Sequence, residues 1–89
     1  MAYRFAYRVG DRMVRIGQLY RVADTATTTR TLRVDKLDVQ RGRDRRWYCR
    51  ADCTVIRQRS GDHVTEPMEP VSISAARLAG STYLLLSEY

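Results

Sequence analysis

The chain has 89 residues, of which 44% are hydrophobic, and a formal net charge of +6 at pH 7. This length supports one small domain, expected to span residues 1–89, with a modest core. A run of about 18 apolar residues is absent from the sequence, and the start MAYRFAYR lacks the apolar centre of a signal peptide. We therefore expect a cytoplasmic protein without a membrane span.

The first third of the chain predicts short strands. In YRFAYRV (3–9) the aromatic residues and Val9 alternate with Arg and Ala, which is the period of a half-buried strand. These aromatics can stack on a ligand, or they form one side of the core or an edge strand that pairs with another copy. MVRI (13–16) and LYRVA (19–23) are separated only by Gly17-Gln18, the spacing of a tight hairpin.

The apolar alternation changes phase in the middle of the chain. Leu32 and Val34 share one parity, whereas Leu37 and Val39 share the other. Because side chains alternate with a period of two along a strand, this slip predicts a bulge or bend near Asp35-Lys36.

From Trp47 the alternation is regular. Every second residue from Trp47 to Val55 is apolar or Cys, and the residues between them are mostly polar. This pattern predicts a strand that buries Trp47 as a core anchor on the same face as the two cysteines. The preceding RGRDRR (41–46) contains the turn formers Gly42 and Asp44, which predicts a hairpin tip crowned by arginines.

The two cysteines are expected to be core residues. On a strand, Cys49 and Cys53 lie about 13 Å apart at 3.3 Å per residue, whereas a disulfide needs Cα atoms within about 7 Å. A structural zinc site takes four ligands, and His63 is the single histidine of the chain. We expect no disulfide, no metal and no cofactor.

The last third changes character. In SISAARLAG (72–80), Ser72 or Ser74 can cap a helix of one or two turns that Gly80 ends, and YLLL (83–86) predicts a short buried strand. The chain is thus expected to be mostly β, a small curved sheet or barrel of five to six short strands with one short C-terminal helix. Residues 1–60 would form the sheet and 61–89 an extension.

The segment VGDRMVRIGQLYRV resembles the opening of Src-homology-3-like small β-barrels of the KOW and Tudor type, in which a Gly-Asp turn precedes such a hairpin. The resemblance covers roughly residues 9–57 and implies a barrel to which residues 61–89 are added. The chain has 15 Arg, one Lys and no Asn, which indicates a GC-rich genome. In size and codon usage it also looks like an actinobacterial phage accessory protein, which implies the host cytoplasm.

Catalytic patterns are absent from the sequence. His63 lies in the polar turn GDHVTE, and the chain contains no G-x-S-x-G, H-E-x-x-H or phosphate-cradling Gly loop. Acid–base chemistry needs a nucleophile and an orienting group beside the base. We therefore expect a protein that is not an enzyme.

The positive charge is concentrated in one stretch. Residues 40–59 hold seven Arg and two Asp, a net +5, whereas the remainder holds nine basic and eight acidic residues, a net +1. Arginines at a hairpin tip can bind nucleic-acid phosphates, and an exposed Tyr can stack on a base. The predicted nucleic-acid-binding residues are Arg41, Arg43, Arg45, Arg46, Tyr48 and Arg50. The alternative is a solvated turn in an arginine-rich proteome.

A second function remains open, that of a protein-interaction or assembly module. Residues 61–89 contain one Arg and four acidic residues, a net −3, together with the apolar YLLL. Opposite charges at the two ends favour homo-oligomeric contacts, and a terminal strand can add to a partner's sheet. The partner would be a second copy or a host protein.

Overall fold

A computed structural model describes residues 2–87 as a strongly curled, antiparallel half-barrel whose five main strands lie in the order β7-β6-β5-β4-β9. The elements of residues 2–87 are β1 (Ala2–Arg4), β2 (Ala6–Val9), β3 (Arg12–Arg15), β4 (Leu19–Ala23), β5 (Thr28–Arg41), β6 (Trp47–Ser60), β7 (His63–Thr65), β8 (Glu69–Ser74), α1 (Ala75–Leu78) and β9 (Leu84–Ser87). The prediction of a mostly β chain with a curved sheet and one short late helix is confirmed.

The central feature is the long hairpin of β5 and β6. Each strand has 14 residues, and the pairing runs from Thr28 with Ser60 to Arg41 with Trp47. The predicted bulge is confirmed, because the register shifts between Val34 and Lys36 and leaves Asp35 without an opposite residue. A second bulge lies on β6 at Ile56. Such bulges increase the local twist and bend the strand.

The concave face of the half-barrel holds the core. The bulge at Asp35 turns Leu37 to the same face as Val34, so the apolar residues on both sides of the bulge are buried together. The β2–β3 hairpin and α1 fill this face with Val14 and Leu78, both fully buried. The buried apolar residues of the described chain are Val14, Tyr20, Leu32, Val34, Leu37, Val39, Cys49, Ala51, Cys53, Val55, Ile73, Ala75 and Leu78.

The N-terminal segment differs from the single strand that its alternation predicts. It bends at Phe5, so that β1 pairs with β5 and β2 pairs with β3. The carbonyl of Phe5 accepts a hydrogen bond from the backbone N–H of Ile16 at 3.0 Å, and the Phe5 side chain is 85% exposed. Alternation alone does not reveal this change of partner.

The hairpin predicted across Gly17-Gln18 is wrong. The turn lies at Gly10-Asp11, where β2 pairs with β3, whereas β4 pairs with β5 and β9. Gln18 is fully buried at the corner between the two sheets. Its Oε1 accepts from the Arg15 N–H at 2.7 Å and its Nε2 donates to the Met13 carbonyl at 3.1 Å, so the buried amide is satisfied and fixes the corner.

For the C-terminal segment, one prediction is confirmed and one is wrong. The Ser74 side chain caps α1 by accepting from the Arg77 N–H at 3.2 Å, as predicted. The buried position predicted for YLLL is wrong, because Leu84, Leu85 and Leu86 are 53%, 41% and 44% exposed. Their strand, β9, ends the path of paired strands and is an edge.

Within residues 2–87, no helix has the length and apolar character needed to cross a bilayer.

Candidate nucleic-acid interface

The hairpin tip, residues 42–46, is a tight and ordered turn. The Arg45 N–H donates to the Gly42 carbonyl at 3.1 Å, and the Gly42 N–H donates to the Arg46 carbonyl at 2.8 Å. Arg45 has φ of +65°. This is a turn followed by a left-handed residue, the geometry of a three-residue hairpin loop, and the left-handed position normally holds Gly.

Asp44 and Tyr48 fix the tip from its side. The Tyr48 hydroxyl donates to Asp44 Oδ2 at 2.5 Å, and the Arg46 N–H donates to Oδ1 at 3.0 Å. The Tyr48 hydrogen bond, followed by that of Arg46, lowers the pKa of Asp44, and the Asp44 hydrogen bond raises the pKa of Tyr48. A Cβ on Gly42 would lie 2.6 Å from Tyr48 Cε2, so Gly permits the close approach of the ring.

Three arginine side chains of the tip have no partner in residues 2–87. Arg43, Arg45 and Arg46 are exposed, and their guanidinium groups make no ion pair or hydrogen bond with the described chain. The single carboxylate of the tip, Asp44, is already bound to Tyr48 and to a backbone N–H. The tip therefore presents three fixed positive charges to solvent.

Arg50 differs from these three, because carboxylates neutralise its charge. Its Nη2 lies 3.5 Å from Asp38 Oδ2, and its Nε lies 3.3 Å from Asp52 Oδ1. Asp38 is fully buried, and Gln40 Nε2 donates to its Oδ2 at 3.0 Å. A buried carboxylate needs such partners. The geometry supports a structural role for Arg50, in addition to any contact that it makes with a ligand.

The predicted site residues on the strands lie on two faces of the hairpin. Arg41 pairs with Trp47 on the concave side, in line with the buried pair of Val39 and Cys49. Tyr48 pairs with Gln40 on the convex side. The structure thus brings the tip arginines together but separates Arg41 from Tyr48 and Arg50.

The prediction that Trp47 is a core anchor is wrong. Trp47 lies on the expected face, but its side chain is 59% exposed because the last buried pair of the hairpin is that of Val39 and Cys49. The guanidinium carbon of Arg41 lies 5.5 Å from the ring centroid, within the range of a cation–π contact.

Trp47 forms a wall of an open groove of about 440 Å³. Tyr7 supplies a second aromatic side chain, and Arg4 and Arg8 add two positive charges. The groove is lined by Arg4, Ala6, Tyr7, Arg8, Val39 and Trp47. Arg4, Tyr7 and Arg8 were not among the predicted site residues, although the alternation of Arg with aromatic residues in YRFAYR was the available signal.

Cys49 and Cys53 are free and buried, so their predicted role as core residues is confirmed. Burial, followed by the charge of Asp38, raises the pKa of Cys49. Burial is also the main reason why the pKa of Cys53 is raised to about 12. In residues 2–87 no group of three or more His, Cys, Asp or Glu side chains is arranged to hold a metal ion.

Comparisons with models of protein families, with curated proteins and with solved structures gave no match for this chain.

Proposed function

We propose that this protein is a non-enzymatic module that binds single-stranded nucleic acid at the tip of the β5–β6 hairpin. Arg43, Arg45 and Arg46 bind backbone phosphates, and an unpaired base stacks in the groove beside Trp47. The observation that carries the proposal is a turn with three exposed arginines, whose side chains have no partner in residues 2–87, immediately followed by an exposed tryptophan. Positive charge next to an aromatic surface is the combination that single-strand binding uses.

The conformation of Arg45 supports a role beyond folding. A left-handed conformation costs a residue with a side chain roughly 1–2 kcal/mol, a cost that Gly avoids. The chain nevertheless has Arg at this position, with φ of +65°. Residues in sparsely populated backbone regions cluster at functional sites, and the tip would be more stable with Gly in place of Arg45.

The groove favours unpaired bases over a duplex. A base offers its flat face to an aromatic side chain only when it is not stacked between neighbours in a helix. Trp47 and Tyr7 are both available in the groove, and Arg4 and Arg8 at its rim can bind the phosphates of the same strand. The predicted stacking residue therefore shifts from Tyr48, whose hydroxyl is bound to Asp44, to Trp47.

The proposal includes a cytoplasmic location, and the host cytoplasm if the chain is encoded by a phage. It also includes a relation to Src-homology-3-like barrels of the KOW or Tudor type. The curled antiparallel sheet supports the relation to these barrels, although the hairpin on which the resemblance rested does not form. The excess of Arg over Lys supports the phage origin and with it the host cytoplasm.

The fluorescence of Trp47 tests the proposal, because it is the single tryptophan of the chain. Titration with a single-stranded oligonucleotide of about 15 nucleotides should quench the Trp47 fluorescence, and it should do so more strongly than a duplex of the same sequence. The plot of log K against log salt has a negative slope, to which each phosphate contact contributes about −0.7. In the triple variant Arg43→Gln/Arg45→Gln/Arg46→Gln, the magnitude of this slope should therefore fall by about 2.

The matched control is Arg33→Gln. Arg33 Nε lies 2.7 Å from Asp35 Oδ1, so its charge is already neutralised within the protein. This variant should keep the wild-type salt slope. Absence of binding at about 50 mM salt, or an unchanged slope in the triple variant, would refute the proposal.

A protein-interaction or assembly module is the second candidate, with a second copy or a host protein as partner. It is favoured by β9, an edge strand with three exposed leucines, because an unpaired strand edge can pair with another chain. Analytical ultracentrifugation of wild type and Leu84→Lys tests self-association. The assembly hypothesis predicts a concentration-dependent dimer that the variant lacks, and a monomer at all concentrations would contradict it.

A further inference from the structure

A second group of arginines lies on the convex face, towards the end of the β5–β6 hairpin away from the tip. Arg21 on β4 and Arg57 on β6 flank Thr31 on β5, since Thr31 pairs with both residues. In the next row on the same face, Thr29 pairs with Arg59. Residues that are directly paired in a sheet point to the same side, so these five side chains share one surface. We name Arg21, Arg57 and Arg59 the convex arginine cluster.

The convex arginine cluster surrounds a small depression of about 170 Å³. Its lining consists of Arg21, Thr29, Thr31, Arg57, Arg59 and Leu86. Adjacent strands lie about 4.8 Å apart, so the Cα atoms of Arg21 and Arg57 are about 10 Å apart across Thr31. Two long side chains at this separation can bind one ligand held between them, with the Thr hydroxyls beneath it as further hydrogen-bond donors.

The charge of the cluster is uncompensated within residues 2–87. Other arginines of the sheet have carboxylate partners: Arg30 with Asp24 at 3.6 Å and Arg33 with Asp35 at 2.7 Å. In the described chain no carboxylate lies within 4 Å of a cluster guanidinium, and the Arg59 Nε donates only to the Gly61 carbonyl at 3.1 Å. The Cα atoms of neighbouring cluster arginines lie about 7–10 Å apart on one face, so their like charges repel, and a bound anion would reduce this repulsion.

We propose that the convex arginine cluster is a phosphate-binding site, in which the guanidinium groups of Arg21 and Arg57 bind a phosphate group above Thr31. The planar guanidinium group matches phosphate oxygens with two parallel hydrogen bonds. The site is separate from the Trp47 groove, since residues 47 and 57 lie about 33 Å apart along β6 at 3.3 Å per residue and Trp47 is on the concave face. The inference therefore does not depend on the proposed function.

Nuclear magnetic resonance with inorganic phosphate tests the site. The Arg21 and Arg57 Nε–Hε signals and the Thr31 amide signal should shift saturably, whereas chloride at equal ionic strength should leave them unchanged. In Arg57→Gln, the shifts at Arg21 and Thr31 should need about tenfold more phosphate, the loss expected for one charge-assisted contact. Arg77→Gln, which removes an exposed arginine of α1, should bind phosphate as wild type does.

Thr31→Val is a second variant, which preserves the shape of the strand and should also weaken phosphate binding. An amide spectrum that matches wild type outside the cluster establishes that each variant is folded. A response of the cluster signals that does not saturate with phosphate, or wild-type phosphate binding in both Arg57→Gln and Thr31→Val, would overturn the inference.

A single-stranded oligonucleotide without a terminal phosphate distinguishes the sources of the phosphate. Shifts at the cluster with inorganic phosphate alone identify a free phosphate or a phosphomonoester, and shifts with both probes identify the nucleic-acid backbone. Either result supports a phosphate site, and no response to either probe refutes it. If the cluster binds phosphate but the oligonucleotide leaves the Trp47 fluorescence unchanged, the proposed function is refuted and the phosphate site is supported.

Discussion

Replacing Arg45 by Gly should stabilise the protein and weaken its binding of nucleic acid at the same time. Relief of the left-handed conformation gains roughly 1–2 kcal/mol, and the greater freedom of Gly in the unfolded chain costs about 0.5–1 kcal/mol. The net gain lies within about 0–1.5 kcal/mol, with a middle value of about 0.75 kcal/mol. For a chain of this size, the middle value raises the Tm by roughly 3–6 °C.

Thermal unfolding followed by circular dichroism measures this gain, with two controls. Arg45→Ala removes the same charge but keeps a side chain at φ of +65°, so its Tm should stay close to that of wild type. Arg46→Gly introduces Gly where φ is not positive, so its Tm should fall. Both Arg45 variants should reduce the magnitude of the salt slope of oligonucleotide binding by about 0.7, since each removes one phosphate contact.

An equal Tm for Arg45→Gly and Arg45→Ala would refute this prediction. In that case the left-handed conformation costs the folded protein nothing, and the conformation of Arg45 would no longer support a function at the tip. A higher Tm with unchanged oligonucleotide binding would confirm the strain at Arg45 but exclude Arg45 from the interface.

Three further predictions concern the core, the cap and the tip. Leu78→Ala should lower the free energy of unfolding by about 2–5 kcal/mol because Leu78 is fully buried. Ser74→Ala should lower it by about 1 kcal/mol through loss of the helix cap. Urea unfolding measures both changes, and equal values would contradict the assignment of Leu78 to the core and Ser74 to the cap. Because its raised pKa of about 12 leaves almost no thiolate at pH 8, Cys53 should react with a disulfide reagent only after unfolding, and rapid labelling of the folded protein would be inconsistent with its burial. In Tyr48→Phe the pKa of Asp44 should rise towards its usual value, as read from its carboxyl carbon signal. Since the Asp44 pKa is lowered on folding, its contribution to stability is present above the unfolded pKa and is lost as the pH falls through the folded pKa, so the stability difference between wild type and variant should vanish in acid.

Local patterns predicted those parts of the fold that depend on local geometry. The parity slip near Asp35, the alternation from Cys49 to Val55, and the Ser74 cap each follow from neighbours within a few residues. The pairing of β2 with β3 depends instead on the buried Gln18 corner and on a change of sheet, which no short pattern encodes.

The candidate site was predictable only in part for the same reason. Parity gave the correct face for Trp47, but whether that face is covered depends on which elements pack there. The charge density of residues 40–59 indicated the tip arginines, whereas the partners that neutralise Arg50 lie on two strands. The convex arginine cluster joins Arg21 to Arg57 from distant parts of the chain, so it became visible only with the register of the sheet.

The two bulges of the long hairpin have a consequence for how this protein can evolve. Asp35 is the extra residue of β5 and Ile56 that of β6, so the strands keep equal lengths although each is interrupted once. A regular ladder without the bulge, in which Asp35 pairs with Asp52, would turn Leu37 towards solvent and Lys36 into the core. The tip lies beyond the last buried pair and carries no such constraint. We therefore expect the interior to tolerate insertions and deletions at residues 42–46, where they can change what the protein binds.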